Sequence, residues 1–123
     1  MTTKNLQTLS VLELTGLYEK AGTAYGEALE HGTAKAANKQ YDVIAALEKE
    51  FKRRGSEGQE AVLRAMSHES RWVRLLAAGF TLHFDPPKAV PVLQEITLLR
   101  GTCGFTAGKI LELWREGRLP PEE

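Results

Sequence analysis

Three histidines, one cysteine and a tryptophan flanked by arginines are the side chains from which chemistry would have to be built. No two of His31, His68 and His83 stand three or four residues apart, the helical spacing that puts two imidazoles on one metal ion. Solvated or structural roles are therefore expected for all three. His68-Glu69 begins like the zinc-protease motif, but the second histidine would fall at position 72, which is Trp72, and this excludes the motif. Cys103 lies in Gly101-Thr102-Cys103-Gly104, ahead of a helical segment. A thiol at a helix N-terminus can be acidified and reactive. No histidine is spaced to serve as its base, so a packed, inert thiol is the expectation. A lone cysteine also forms no intrachain disulfide and no cysteine-based metal site, and it suits a reducing compartment. Gly101, Gly104 and Gly108 do not form a phosphate loop: they follow a helix, and Lys109 is not followed by Ser or Thr. The residues imply no catalytic set, cofactor or metal.

Arg71 and Arg74 around Trp72 admit two readings. An aromatic ring between guanidinium groups suits a protein or nucleic-acid contact. Alternatively Trp72 is core and the Arg74 stem packs along a helix interface. Tyr18, Tyr25 and Tyr41 fall on the inner stripes of two long helices, where packing between the helices is expected and a small-molecule pocket is the alternative.

Six helices position these residues. Ser10, with Glu13 three residues on, forms a capping box for a first helix over about 11–31, whose stripe is Val11, Leu14, Tyr18, Ala21, Tyr25 and Ala28. Thr33 caps a second over about 34–54, with Ala37, Tyr41, Ile44, Leu47 and Phe51 inward. Its outward part carries Lys35, Lys39, Lys49 and Arg53, with Asp42 and Glu50 among them. Ser56 and Gln59 form a capping box for a third helix ending near Ser67, with Val62, Leu63 and Met66 inward. A fourth spans about 70–84 and buries Trp72, Val73, Leu76, Ala77 and Phe80. Asp85 caps a fifth, with Pro86 and Pro87 in its first turn and Ala89, Val92, Leu93 and Ile96 inward. The sixth runs from about Phe105 to Glu116 on Ala107, Ile110, Leu111 and Trp114. Nothing alternates as a strand does. The polar, proline-bearing tail 117–123 is expected to fray. The expected fold is all-α: one domain over 1–123, three antiparallel pairs in a short right-handed HEAT-like superhelix, with a plain bundle as the alternative.

The 16 basic and 16 acidic side chains cancel, and no region carries the basic excess usual in nucleic-acid binders. The N-terminus has no apolar core of a signal peptide and no segment is long enough to span a bilayer, so a cytoplasmic protein away from membranes is expected.

The block Arg71-Trp72-Val73-Arg74-Leu75-Leu76-Ala77-Ala78-Gly79-Phe80 resembles the second helix of a HEAT repeat. The stretches Ala24-Tyr25-Gly26-Glu27-Ala28-Leu29-Glu30, Asn38-Lys39-Gln40-Tyr41-Asp42 and Phe84-Asp85-Pro86, with Gly104-Phe105-Thr106-Ala107 and Trp114, resemble a bacterial family of unknown function with an α-α superhelical fold. That resemblance implies the fold and no activity.

A non-enzymatic protein-binding module, such as an immunity or adaptor protein, is the leading expectation. A nucleic-acid binder and an enzyme with a site assembled from distant residues are the alternatives. The expected partner surface comprises Lys35, Lys39 and Asp42 on the second helix, Arg71 on the fourth, and Lys109 and Glu112 on the sixth.

Overall fold

A computed structural model describes residues 3–119. After a 3-10 turn at Thr3–Thr8 come α1 (Val11–His31), α2 (Ala34–Arg53), α3 (Ser56–Ala65), α4 (Arg71–Thr81), α5 (Pro86–Ile96) and α6 (Thr102–Arg115), with no strand among the described residues. The fold is all-α.

Local signals set most boundaries. At α1 the Ser10 hydroxyl accepts from the Glu13 backbone N–H at 3.0 Å and the Glu13 carboxylate accepts from the Ser10 N–H at 2.9 Å, the reciprocal capping box. Thr33 caps α2 through the Ala36 N–H. Ser70 caps α4, whose last helical residue is Thr81 rather than Phe84. At the end of α6, Gly117 takes the left-handed conformation (φ 69°) and the Arg118 N–H reaches the Leu113 carbonyl at 2.8 Å, which closes the helix. The expected fraying from Gly117 therefore meets a closed cap and a packed Leu119; residues 120–123 lie outside the described residues.

Three helix starts differ in detail from expectation. Ser56 is the first residue inside α3, not its cap: Gly55, at φ 67°, occupies the cap position and no side chain bonds there. The α2–α3 turn is so tight that Gly58 lies against the Phe51 carbonyl, where a Cβ would not fit. Asp85 stands at the cap position of α5 without a side-chain cap bond, and its carboxylate instead faces Lys88 at 3.6 Å. Helix α6 starts three residues earlier than expected, at Thr102, because Cys103 and Gly104 are its buried first turn.

Helix α4 is the hub of the packing, touching α1, α3, α5 and α6; α1 also reaches α2, α3 and α6. Val73, Leu75, Ala77 and Ala78 of α4 are fully buried, and they pack in one cluster with Leu14, Tyr18, Ile44, Leu47, Phe51, Leu93, Ile96, Cys103 and Ala107. Each large aliphatic chain so buried contributes about 1.5–3 kcal/mol. Leu75 is buried where Leu76 was expected, with Leu76 half-buried beside it. Tyr41 is 52% exposed and so leaves the inner stripe of α2. Glu50 takes the opposite course. Its position falls beside Leu47 and Phe51, and its carboxylate is buried, accepting from Arg53 at 2.6 Å and from Arg54 Nε at 2.7 Å. Arg54 continues inward, donating to the carbonyls of Leu9 at 2.7 Å and Leu6 at 3.2 Å, which ties the N-terminal turn to α2.

Candidate partner-binding surface

The two readings of the Arg71–Trp72 pair separate by residue. Trp72 is core. Its indole N–H donates to Glu30 Oε2 at 2.8 Å, and Arg71 donates to the same oxygen at 2.6 Å, so the end of α1 is clasped to the start of α4. Gly26 makes room for the ring, which takes Tyr25 edge-on at 6.0 Å; Tyr25 in turn meets Tyr41 at 5.9 Å. The Trp72 bond first, then Arg71, holds the Glu30 carboxyl below its usual range, so Glu30 is an anion and not a proton donor near neutral pH. Arg74 is half-buried, and its guanidinium donates to the carbonyls of His68 and Glu69, each at 3.0 Å, which braces the α3–α4 turn.

The remaining candidates for chemistry are engaged elsewhere. Cys103 is fully buried with its sulfur 3.7 Å from the Arg71 carbonyl oxygen, and burial pushes its thiol up, away from the reactive thiolate. His68 Nδ1 accepts from the Ser70 N–H at 2.9 Å, and its Nε2 lies 4.0 Å from Glu19. His31 lies 3.8 Å from Glu30, and His83 lies against Phe80. Among the described residues no three of His, Cys, Asp and Glu are grouped to hold a metal ion. Tyr18 is packed edge-on against Phe51 with its hydroxyl donating to Glu48 at 2.8 Å, the core role expected of it. An open depression over α1, lined by Gly16, Glu19, Lys20, Thr23, Ala24, Glu27 and His68, has mixed charge and no enclosing wall.

The six residues expected to contact a partner fall into three groups. Lys35, Lys39 and Asp42 stand exposed on the outer face of α2. Arg71 is half-exposed but committed to Glu30. Lys109 and Glu112 pair with each other at 3.2 Å on the outside of α6. No hydrogen bond or ion pair joins one group to another. With Glu50 turned inward, the outer line of α2 reads Lys35, Lys39, Asp42, Lys49, Arg53, a more basic face than the sequence indicates.

One surface feature went unread in the sequence. At the α5–α6 turn Leu98 is 82% exposed and Phe105 69% exposed, with Leu99 partly exposed between them. The turn is firmly held: the Leu99 N–H bonds to Ile96 O at 2.9 Å, the Phe105 N–H to Gly101 O at 3.1 Å, and Gly104 rests against the Leu99 carbonyl where no Cβ would fit. Its signal was present. Leu98 and Leu99 follow the last core residue of α5, and Phe105 faces away from the Cys103–Ala107–Leu111 stripe.

An all-α arrangement of six helices with exposed Leu98, Leu99 and Phe105 about the α5–α6 turn is the class these features define. Residues 12–113 match the model of the Domain of unknown function (DUF2019), and the chain belongs to that family. Among solved structures it is similar to the crystal structure of the protein RPA1889 from Rhodopseudomonas palustris CGA009, with 27% identity and a TM-score of 0.86 over 94% of this chain and 97% of that one. No curated protein matches the chain. No helix among the described residues is long and apolar enough to cross a membrane.

Proposed function

We propose that this chain is a non-enzymatic, cytoplasmic protein-binding module of the adaptor or immunity kind, built as three helix pairs in a short HEAT-like superhelix. The observation that carries the reading is the apolar corner at Leu98, Leu99 and Phe105. Exposed Leu98, Leu99 and Phe105 around one firmly held turn offer apolar surface that a partner could cover. Packing of each helix against the next in sequence, most extensive between α1 and α2 and between α4 and α5, is compatible with that architecture. The buried Cys103, the clasped Glu30 and the hydrogen-bonded His68 leave those groups occupied with holding helices together.

The test compares the tagged protein with the double variant Leu98→Ser/Phe105→Ser as baits in lysate of the source cell, read by quantitative mass spectrometry. A protein recovered near one-to-one by the parent and depleted roughly tenfold or more by the variant, at equal helicity, is the expected result, since loss of an anchor costs at least ~1.4 kcal/mol. Equal recovery by both baits would refute the assignment.

A further inference from the structure

We infer that the solvent face of α2 docks an acidic segment of the partner protein, through Lys35, Lys39 and Lys49. The inference rests on the protein-binding reading and adds the chemistry of the partner. Three observations carry it.

First, the face is basic because its acids are used elsewhere. Glu50 is buried against Arg54, and Glu48 receives the Tyr18 hydroxyl, so Asp42 is the one carboxylate left on the outer line with Lys35, Lys39, Lys49 and Arg53. Second, the three lysines are uncommitted: with described residues, Lys35, Lys39 and Lys49 make no hydrogen bond or ion pair, whereas Arg53 is drawn to Glu50. Lys35 and Lys49 stand 14 residues apart on one helix, about 21 Å, the length of a few turns of a partner helix or an extended segment. Third, the charge is segregated. The chain totals 16 basic and 16 acidic side chains, so the excess on α2 is balanced on its neighbours. At their exposed positions α1 shows Glu13 and Glu27 against Lys20, and α3 shows Glu57 and Glu60 against Arg64.

That segregation decides between anions. The exposed charge on α1 and α3 is net acidic, which disfavours a ligand as wide as a nucleic-acid duplex. A narrow acidic polypeptide fits along α2 alone. Flexible lysines give point-charge complementarity and steering toward an acidic segment.

The test uses poly-L-glutamate and a random DNA duplex of similar charge as probes of the full-length protein, by fluorescence anisotropy at low and physiological salt, with amide shifts mapped by NMR. Poly-L-glutamate is expected to shift amides of α2 and to bind more tightly than the duplex. The triple variant K35E/K39E/K49E should weaken it roughly tenfold or more, while K20E/K88E/K109E, with the same charge change elsewhere, weakens it no more than about threefold. If charge reversal on α2 impairs folding by circular dichroism, K35Q/K39Q/K49Q replaces it. Tighter binding of the duplex, equal loss in the control triple, or shifts centred off α2 would each overturn the inference. Should the α2 variants fail this test while Leu98→Ser/Phe105→Ser still loses its captured protein, the docking face is wrong and the protein-binding reading stands; should the corner variant retain its captures, that reading falls on its own.

Discussion

Replacing Glu50 by glutamine tests the buried charge cluster that anchors the N-terminal turn. Gln keeps the shape and one acceptor oxygen but removes the charge that Arg53 and Arg54 share. Glu50 Oε2 accepts from Arg53 at 2.6 Å and Arg54 at 2.7 Å, and Oε1 accepts from Arg53 at 3.0 Å. Arg53 is more than half exposed and can turn to water, so its part of the loss is discounted. Arg54 is largely buried and keeps the Leu6 and Leu9 carbonyls, so it loses its counter-charge without losing every acceptor. One charge-assisted bond weakened in a buried site is worth about 2 kcal/mol, a fall of roughly 8 °C in Tm for a chain of this size. The Arg53 bond, opposed by burial and helped by Arg54, holds the Glu50 carboxyl below its usual value. A lowered folded-state pKa gives stability that is fully present above the unfolded value and is lost as pH falls through the folded one. The gap between parent and variant should therefore be full at pH 7 and close in acid, below about pH 4. Thermal melts followed by circular dichroism across pH measure it, and Arg53→Ala should cost less than Glu50→Gln. A variant as stable as the parent at pH 7, or a gap that persists undiminished in acid, would refute the reasoning.

Gly58→Ala should destabilise by about 1–3 kcal/mol, because the new Cβ meets the Phe51 carbonyl in a turn with no slack; Gly16→Ala, in open space within α1, should stabilise by about 0.5–1 kcal/mol, and paired chemical melts in urea separate the two signs. Ser10→Ala removes the acceptor that closes the first turn of α1 and should cost about 1 kcal/mol, read by the same melts. Cys103 should react with an aromatic disulfide reagent at least ~100-fold more slowly in the native protein than in denaturant, since it is buried and its thiol is pushed up; comparable rates would mean that the first turn of α6 opens readily.

What was legible in the sequence is what a few consecutive residues decide. The Ser10–Glu13 box, the Thr33 cap and the apolar stripes each depend on neighbours three or four positions away, and the helices stand within a few residues of where those signals put them. Long-range decisions were not legible. The Glu30–Trp72 bond joins residues 42 positions apart, and nothing local to either one announces it. Ser56 and Gln59 had the letters of a capping box, but the close approach of Gly58 to Phe51 placed Ser56 inside the helix. Of the surface residues, Lys35, Lys39 and Asp42 were placed correctly as exposed. Their setting was misread, because Glu50 was assigned to the face opposite the one it occupies. Glu50 stands three residues from Leu47 and next to Phe51, at the edge of the apolar stripe, and its bonds to Arg53 and Arg54 are what allow a carboxylate to be buried there. The exposure of Leu98 and Phe105 is set by how α5 and α6 pack, which the local apolar pattern at a helix end does not decide.

Helix α1 packs on α2, α3, α4 and also α6, near the far end of the chain. In a one-dimensional array of repeats, each unit touches only its neighbours, and the ends can melt while the middle holds. Here α1 and α6 also meet, a smaller contact than those α1 makes with α2, α3 and α4, and it links the two ends of the helical stack. The domain should unfold as one cooperative unit, with hydrogen-exchange protection in α1 and α6 rising and falling together. During synthesis α1 must wait for α6 to leave the ribosome before its last contacts close.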